Sequence, residues 1–485
     1  MVSNSTRRGR WGSGLKVSVL TKIREAATVN GLAEWWPAGI TRERIRRLAK
    51  EGLWVGAGQI LAVVGGVVGV RLVTELLGPR AYGELALGMT VATLLQQIAF
   101  GPLAHGAMRW YAPANETDSL RAYLRGLLHL LLAATGLILG TNLMMSVVLA
   151  TTGRTQWLGL GLGAIGFAVV SGGNAILDGI QSAARQRVVV AWHQGFASWS
   201  RFLLAVGVML VLGATSTVAM WGYTLASLMV LGSQLWFLRR ETGWGEKARP
   251  EASADIERWR RHLWEYSWPF ATWGIFSWAQ QASDRWALQT FASTQDVGYY
   301  AVLFQIGYYP IMLLSGILVQ WAGPLLFERA GDGEDVGCRG KVHSLNRLLL
   351  LPTAAIILVA VSIAWGFHHE IFRVLVATEY GAMSPYLPWM VLSGGIFAAG
   401  QTLSLQVMAE ADSRSLILPK VVTALFGISA NVIGAAIYGI VGVVAANLMS
   451  VLIYLLLISV LVNSRLRESR QRFAEREAGG KKAVL

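Results

Sequence analysis

Cationic and amide side chains interrupt several long apolar stretches of this chain. Arg201 and Arg285 each lie within such a stretch, and Gln194 and Gln281 precede them at helical spacing. A guanidinium in apolar surroundings binds phosphate or carboxylate by charge-assisted, often bidentate hydrogen bonds. We therefore expect these four residues to bind an anionic, hydrogen-bonding substrate. The alternative is a structural role, in which each cation pairs with a buried partner.

Three carboxylates in similar stretches are candidates for binding a coupling cation. Asp284 directly precedes Arg285, Asp178 belongs to a polar stripe, and Glu75 follows Arg71 by four residues. Arg71 is also a candidate substrate contact, although it can pair with Glu75 along one helix face. A charge at the bilayer centre costs about 2.5–3.5 kcal/mol on insertion scales, so each has to face protein or water. A structural ion pair at Arg71 and an inter-helix hydrogen-bond network at Asp284 remain open alternatives.

Motifs for enzymatic chemistry are weak. The acidic run 332–335 lies in a short glycine-containing segment, which favours a solvated turn over a glycosyltransferase metal site. His368 and His369 are adjacent, and adjacent helix positions point to different faces, so they do not form the spaced pair of a zinc helix. A single cysteine, Cys338, excludes an intrachain disulfide and a cysteine-based metal cluster. We expect no catalytic residue, no metal and no cofactor.

The composition predicts an all-α polytopic membrane protein. Of 485 residues, 54% are hydrophobic and 14% are charged, with a mean hydropathy of +0.47, whereas soluble domains carry about 25% charged residues. The 54 glycines and 20 tryptophans suit close helix contacts and bilayer interfaces. The net charge of +14 would suggest nucleic acid in a soluble protein. Because the basic residues concentrate in alternate loops, we expect no nucleic-acid partner.

About 20 apolar residues cross a bilayer as a helix, and this length predicts twelve transmembrane spans. They lie near 52–74, 82–105, 122–149, 156–180, 187–212, 217–238, 266–290, 298–322, 345–367, 386–409, 415–438 and 440–462. The last two are separated only at Tyr438-Gly439. The predicted domains are a basic N-terminal segment 1–50, an N-lobe 51–240, a linker 241–265, a C-lobe 266–463 and a basic tail 464–485.

The distribution of basic residues predicts the orientation in the membrane. Arginine and lysine crowd the even-numbered turns, whereas the odd-numbered turns carry only Arg80, Arg154 and Arg373. By the positive-inside rule both termini face the cytoplasm, and the short joints at 78–82 and 292–297 face outward.

A short repeat relates the two halves of the chain. Leu77-Gly78-Pro79-Arg80-Ala81-Tyr82-Gly83 leads into the second span, and the fainter echo 292–298 leads into the eighth. Gly83 aligns with Gly298 at the same offset that aligns Ala86 with Ala301. Repeats of six spans each run in the same direction, so they are related by an axis along the membrane normal. The expected fold is two six-helix lobes around a central cavity.

These motifs, in this order, resemble those of polysaccharide exporters and O-antigen flippases of the multidrug/oligosaccharidyl-lipid/polysaccharide exporter superfamily. Leu77-Gly78-Pro79, Tyr82-Gly83 and Arg109-Trp110-Tyr111 resemble the first half of that family. Asp284-Arg285, Val297-Gly298-Tyr299-Tyr300 and Tyr438-Gly439-Ile440-Val441-Gly442 resemble the second half. The resemblance covers roughly residues 45–465.

The resemblance implies an alternating-access flippase in a bacterial cytoplasmic (inner) membrane. Its implied cargo is a polyprenyl-pyrophosphate-linked oligosaccharide or related glycolipid, moved to the outer leaflet for surface polysaccharide assembly while its tail stays among the membrane lipids. Arg201 and Arg285 are then candidates for the diphosphate, and H⁺ or Na⁺ for the coupling ion. A cation-coupled drug or metabolite antiporter of the same fold and a membrane glycosyltransferase or polymerase remain open alternatives.

Overall fold

The computed structural model describes residues 42–153, 155–242, 252–313, 336–409 and 413–482. Within these ranges the chain is helical and has no strand. The acidic run 332–335, the last part of the eighth predicted span and nearly all of the predicted N-terminal segment lie outside the described residues. Residues 53–485 form one compact unit, which contains every candidate site residue, and residues 1–52 belong to a second unit.

The helices of the N-terminal half follow one another through short turns. They are α1 (Arg42–Leu76), α2 (Pro79–Leu95), α3 (Gly101–Glu116), α4 (Leu120–Thr151), α5 (Leu158–Ala183), α6 (Arg187–Leu212) and α7 (Ser216–Thr242). A π-helical segment, Gln96–Phe100, joins α2 to α3 without a turn, so the two form one continuous rod.

Five helices are described in the C-terminal half. They are α8 (Ser253–Phe291), α9 (Thr294–Leu303), α10 (Val336–Leu375), α11 (Leu387–Ala409) and α12 (Ile417–Lys482). A second π-helical segment, Phe304–Tyr308, continues α9. The end of the predicted linker (253–265) is part of α8, and α12 runs into the predicted tail. The predicted domain boundaries stay predictions.

Nine stretches of the described residues are long and apolar enough to cross a membrane, which confirms the all-α polytopic membrane class. Six of them lie at the predicted positions in the N-terminal half. The last, Ile417–Arg465, has 49 residues and is broken at Gly439 (φ 56°, ψ −132°), as predicted. Glycine suits this position because a side chain is strained at such a positive φ. The polar helix α8 is not among the nine, so the count of twelve stays a prediction.

The helix α8 packs along the N-terminal half for most of its length. At one end the indole of Trp259 donates to the Ser119 hydroxyl (3.1 Å). Towards the other end the indoles of Trp278 and Trp286 both donate to Thr90, at its carbonyl (2.7 Å) and its hydroxyl (3.0 Å). Because α8 also packs against α12, it joins the two halves.

Two spans lie at the periphery. Only 6% of the best window in Leu120–Val148 and 11% of that in Leu349–Leu375 is buried. They are the third and ninth predicted spans, which occupy equivalent places in the repeat. Large apolar side chains such as Leu137 and Leu358 are exposed on both spans, so lipid is the environment that suits them.

Candidate functional site

The two repeat motifs cross each other in space. The helices α2 and α9 begin at Pro79 and Thr294, which are related by the same offset as Gly83 and Gly298. A side chain at Gly83 would collide with the Thr294 carbonyl, and one at Gly298 with the Pro79 carbonyl. Such a reciprocal contact is what two units related by a two-fold axis produce. The crossing therefore needs glycine on both helices.

Hydrogen bonds and aromatic contacts close the same end of the molecule. The fully buried Tyr380 donates its hydroxyl to the Leu77 carbonyl (2.9 Å). The rings of Tyr82 and Tyr299 meet the Tyr380 ring edge-on, with centroids 6.2 and 5.8 Å away. These contacts join the N-terminal half to the segment between α10 and α11.

Arg71 and Glu75 take part in this closure. The Arg71 guanidinium donates to the carbonyls of Arg373 (3.2 Å) and Val376, where α10 ends, and it pairs with Glu75. A cation at a helix C-terminus is favourable because of the helix dipole. The structure thus places both residues at a contact between the halves. The substrate role of Arg71 and the coupling role of Glu75 stay predictions.

Replacing Tyr380 with phenylalanine tests how much this closure contributes to stability. The change removes one buried hydrogen bond and leaves the Leu77 carbonyl unpaired, a loss of about 1–3 kcal/mol. We expect a lower midpoint in thermal unfolding of the purified protein. Tyr438→Phe is the matched control, since Tyr438 is 70% exposed. Equal midpoints for the two variants would contradict the assignment.

A shallow cavity of about 360 Å³ lies beside the crossing. It is lined by Gly78, Pro79, Arg80, Ala81, Glu84 and Gln295. The Glu84 carboxylate accepts a hydrogen bond from the Ser216 hydroxyl (2.7 Å). Arg80 is largely exposed, so this cavity opens at the predicted outer surface.

Arg285 lies on aromatic rings in the C-terminal half. Its guanidinium is 4.9 Å from the Phe304 ring centroid and 5.9 Å from that of Tyr300. It donates to the carboxylate of its neighbour Asp284 (3.2 Å) and to the Gln281 carbonyl (3.1 Å). Only 5% of the Asp284 side chain and 15% of the Arg285 side chain is exposed, so this is a nearly buried ion pair.

Arg201 occupies a comparable place in the N-terminal half but has no carboxylate. Its guanidinium lies 5.7 Å from the Phe167 ring centroid and 6.0 Å from that of Tyr223. Within the described ranges it makes no hydrogen bond or ion pair. Cation–π contacts stabilise a partly desolvated cation by about 0.5–2 kcal/mol and leave its N–H donors free.

Tyr82 connects the surroundings of the two arginines electrostatically. It interacts electrostatically with Arg285 and with Tyr223, and Tyr223 in turn interacts with Arg201. Tyr82 directly precedes Gly83, the residue at the crossing. The structure therefore links one predicted cation from each half to Tyr82, next to the crossing.

The other predicted polar residues have partners within their own half. The exposed Gln281 donates from its amide to the Ser277 hydroxyl (3.0 Å). Gln194 forms a side-chain hydrogen bond with Asp178, which also accepts from the Gln234 amide (2.7 Å). Gln194 thus contacts an acid rather than Arg201. Its substrate role and the coupling role of Asp178 stay predictions.

The expectation that His368 and His369 point to different helix faces was wrong. The rings of His368 and His369 lie together, with centroids 4.1 Å apart, and both contact the Ser384 hydroxyl at 3.2 Å. The helix α10 is broken at Phe367 (φ −128°, ψ 23°), so the regular spacing that separates adjacent positions does not apply there. In the part of the chain that the structure describes, no three potential metal ligands come together.

Sequence reasoning missed the two π-helical segments. Each ends two residues before a proline, Pro102 in one case and Pro310 in the other. Proline lacks the N–H that would bond to the carbonyl four residues earlier, so the preceding turn widens. Phe304, under Arg285, begins the second segment. A proline inside an apolar span was the signal that could have predicted both segments.

Comparison with solved structures shows a known transporter fold. The lipid II flippase MurJ in an inward closed conformation matches with a TM-score of 0.65 and 13% identity, over 86% of this chain and 87% of MurJ. An inward-facing multidrug resistance MATE family transporter of the MOP superfamily matches with a TM-score of 0.62 and 13% identity, over 85% and 95% of the chains. The Vibrio cholerae MATE transporter VcmN in the bent form gives a TM-score of 0.53 and 13% identity, over 88% and 98%.

The comparison with sequence families agrees with the motif order. No curated protein sequence matches the chain. The family model described as "Polysaccharide biosynthesis protein" matches residues 48–328, which is more than half of the chain. The match includes the Gly83–Gly298 crossing and both arginines. The chain therefore belongs to the polysaccharide biosynthesis protein family.

Proposed function

We propose that this protein is an alternating-access flippase for a polyprenyl-pyrophosphate-linked oligosaccharide or related glycolipid. It moves this cargo to the outer leaflet of a bacterial cytoplasmic membrane, with both termini in the cytoplasm, for surface polysaccharide assembly. The observation that carries the proposal is the environment of Arg201. Its guanidinium lies inside the fold on two aromatic rings and, among the described residues, has no carboxylate partner.

The chemistry of the two arginines suits a diphosphate. Arg201 and Arg285 supply two positive charges against one negative charge from Asp284, so the group keeps a net positive charge. A diphosphate cannot cross hydrocarbon alone, whereas guanidinium groups bind it bidentately. The sugars then lie in a wet cavity between the halves and the lipid tail stays in the bilayer. Membership of a polysaccharide biosynthesis family supports a glycan as the head group.

The Asp284–Arg285 pair offers a route for coupling. A diphosphate that takes the N–H donors of Arg285 deprives Asp284 of its charge partner. A nearly buried carboxylate without a partner then takes up a proton or a metal cation. Cargo binding and cation binding are thereby linked through one side chain. Asp178 and Glu75 are the further acids proposed for coupling.

Replacing Arg201 with glutamine tests the proposal. Glutamine keeps most of the length but not the charge, and since Arg201 has no acidic partner, no carboxylate is left unpaired. Loss of one charge-assisted contact of about 1.5–3 kcal/mol slows export about ten- to 150-fold. The measurements are surface polysaccharide and lipid-linked oligosaccharide accumulated in the inner leaflet. Arg201→Lys, which keeps the charge, retains more export than Arg201→Gln.

Testing Arg285 needs a double variant, because Arg285→Ala alone leaves the Asp284 carboxylate unpaired. The double variant Asp284→Asn/Arg285→Gln removes both charges together and is the cleaner test. Membrane levels of every variant are measured alongside export. Normal export by both Arg201→Gln and the double variant, at normal membrane levels, would refute the cationic site.

A cation-coupled antiporter for a drug or metabolite is the second candidate, because multidrug MATE transporters share the fold. Deletion of the gene separates the two functions. An antiporter predicts increased drug sensitivity with intact surface glycans. A flippase predicts loss of surface glycans.

A further inference from the structure

A short segment of the C-terminal half takes part in the outer closure. This outer segment, residues 376–386, follows α10 and consists mostly of a 3-10 helix. Its Tyr380 donates to the Leu77 carbonyl, and the Ala377 amide donates to the Thr74 hydroxyl (3.2 Å). Both contacts reach the end of α1 in the N-terminal half. A contact that holds the outer segment to its own half therefore also strengthens the closure.

Two histidines hold the far end of this segment to α10. His368 and His369 each place Nδ1 3.2 Å from the Ser384 hydroxyl oxygen, and Ser384 is fully buried. The break in α10 at Phe367 lets the two rings lie together, with their centroids 4.1 Å apart. These three side chains form a clamp between α10 and the outer segment, and Ser384 is only one helical turn from Tyr380 along the chain.

The shared hydroxyl determines which protonation states the clamp needs. A hydroxyl has one hydrogen, and a neutral imidazole carries one N–H. Ser384 therefore donates to the Nδ1 atom of one ring only, and the other ring has to donate its own N–H to the Ser384 oxygen. Two neutral rings with opposite tautomers satisfy this arrangement completely.

Protonation of both rings disturbs the clamp. Both Nδ1 atoms then carry a hydrogen, so the buried Ser384 hydroxyl has no ring acceptor for its own hydrogen. Two positive charges also lie with ring centroids 4.1 Å apart. Even with the full screening of water, two like charges at such a distance shift an equilibrium about fivefold toward their separation. Histidine ordinarily changes charge between about pH 5 and 8, so moderate acid is enough.

The clamp is accessible to protons from the predicted outer side. The His369 side chain is exposed, and within the described ranges neither ring forms an ion pair. No carboxylate therefore pairs with the charge that protonation adds. The described part of α11 carries no titratable group. The titratable groups on the other elements packed around this end of α10 are Glu370 and Arg373 on α10 itself, Glu379, Tyr380 and Tyr386 on the outer segment, Arg71 and Glu75 on α1, Asp296 and Tyr299 on α9, and Tyr438 at the break in α12.

We propose that the clamp of His368, His369 and Ser384 makes the outer closure sensitive to pH. It holds the outer segment against α10 while both rings are neutral. It releases the segment when both are protonated, which frees Tyr380 and favours opening of the outer end. The clamp acts on the closure itself, so it does not depend on which cargo the protein moves, and it is separate from the acids proposed for coupling.

Cysteine labelling of the full-length protein measures the release. Cys338 is replaced by alanine and Val297, which is fully buried beside the crossing, by cysteine. A membrane-impermeant maleimide is added from outside at about pH 5 and about pH 8. Because thiols react more slowly in acid, each rate is divided by that of Ala214→Cys, which is exposed in the turn between α6 and α7. We expect this ratio to be about five times as high at the lower pH.

Variants of the clamp separate this response from other effects of pH. His368→Gln and His369→Gln each leave a single titratable ring, so the repulsion is lost and the ratio stays nearly the same at both pH values. The matched control is His129→Gln, an exposed histidine on α4, which keeps the full response. Ser384→Ala removes the oxygen that both rings contact, so its ratio is already raised at the higher pH. Each protein is compared with itself at the two pH values, so a variant that closes less tightly still shows whether the response is lost.

An unchanged ratio at the two pH values in the protein with both histidines overturns the proposal. A pH response that persists in the double variant His368→Gln/His369→Gln assigns it to another group and also overturns the proposal. Failure here is distinct from failure of the proposed function. If the ratio does not respond and Arg201→Gln abolishes export, the clamp proposal fails and the flippase proposal stands. If the ratio responds and the Arg201→Gln protein exports normally, the reverse holds.

Discussion

Replacing Gly83 with leucine is expected to hold the crossing of α2 and α9 open and to abolish export. The new side chain would meet the Thr294 carbonyl and the Gly298 amide, and backbone atoms cannot move aside as a flexible side chain can. Overpacking of this kind costs about 1–3 kcal/mol, which lowers the closed-to-open ratio about 5- to 150-fold. Gly298→Leu, which meets the Pro79 carbonyl, is expected to have the same effect.

Labelling of a buried cysteine measures the opening. The native Cys338 is first replaced by alanine, and Val297, which is fully buried beside the crossing, is replaced by cysteine. A membrane-impermeant maleimide added from outside is expected to react slowly with this protein and rapidly when Gly83→Leu is added. Gly207→Leu is the control, since a side chain at Gly207 meets nothing within 4 Å. Equal labelling of Gly83→Leu and Gly207→Leu would show that the crossing is not a closed gate.

Replacing Asp284 with asparagine is expected to be the most destabilising single change in the site. The Arg285 charge would remain nearly buried without a carboxylate, and removal of one partner from a buried pair costs about 3–5 kcal/mol. The contacts of Arg285 with the Gln281 carbonyl and the Phe304 ring do not replace a negative charge. The measurement is the unfolding midpoint of the purified protein.

Adding Arg285→Gln to the Asp284→Asn protein is expected to restore most of the lost stability, because two neutral side chains then replace two charges. The control is Glu265→Gln, which removes an exposed acid from the same helix and is expected to leave the midpoint unchanged. A double variant no more stable than Asp284→Asn alone would mean that the two charges do not depend on each other.

The features that repeat or have a strong composition bias were predictable from sequence. The alignment of Gly83 with Gly298 predicted two related units, and these two residues touch. The break at Gly439 was predicted because a glycine separates two apolar stretches that together exceed one bilayer crossing. Arg201 and Arg285 were predicted as site residues because a charge within an apolar membrane stretch is energetically costly. Both lie inside the fold on aromatic rings.

The partners of polar residues were not predictable in the same way. Arg71 donates to main-chain carbonyls of Arg373 and Val376, and carbonyls carry no signature in the residue type. Asp284 and Arg285 pair although neighbouring helix positions do not usually face each other. The break at Phe367 reversed the geometry expected for His368 and His369. These outcomes depend on long-range packing or local backbone distortion, which residue spacing does not encode.

The two π-helical segments lie at different distances from the glycines that align in the two halves. Gln96 follows Gly83 by thirteen residues, whereas Phe304 follows Gly298 by only six. The difference is about two helical turns, so the π-helical segment shifts by roughly 10 Å along the helix and stays on the same side of it. An alignment of one half on the other must therefore open a gap of one heptad between glycine and proline. A synthetic protein assembled from two copies of either half would place both π-helical segments at one depth and lose this asymmetry.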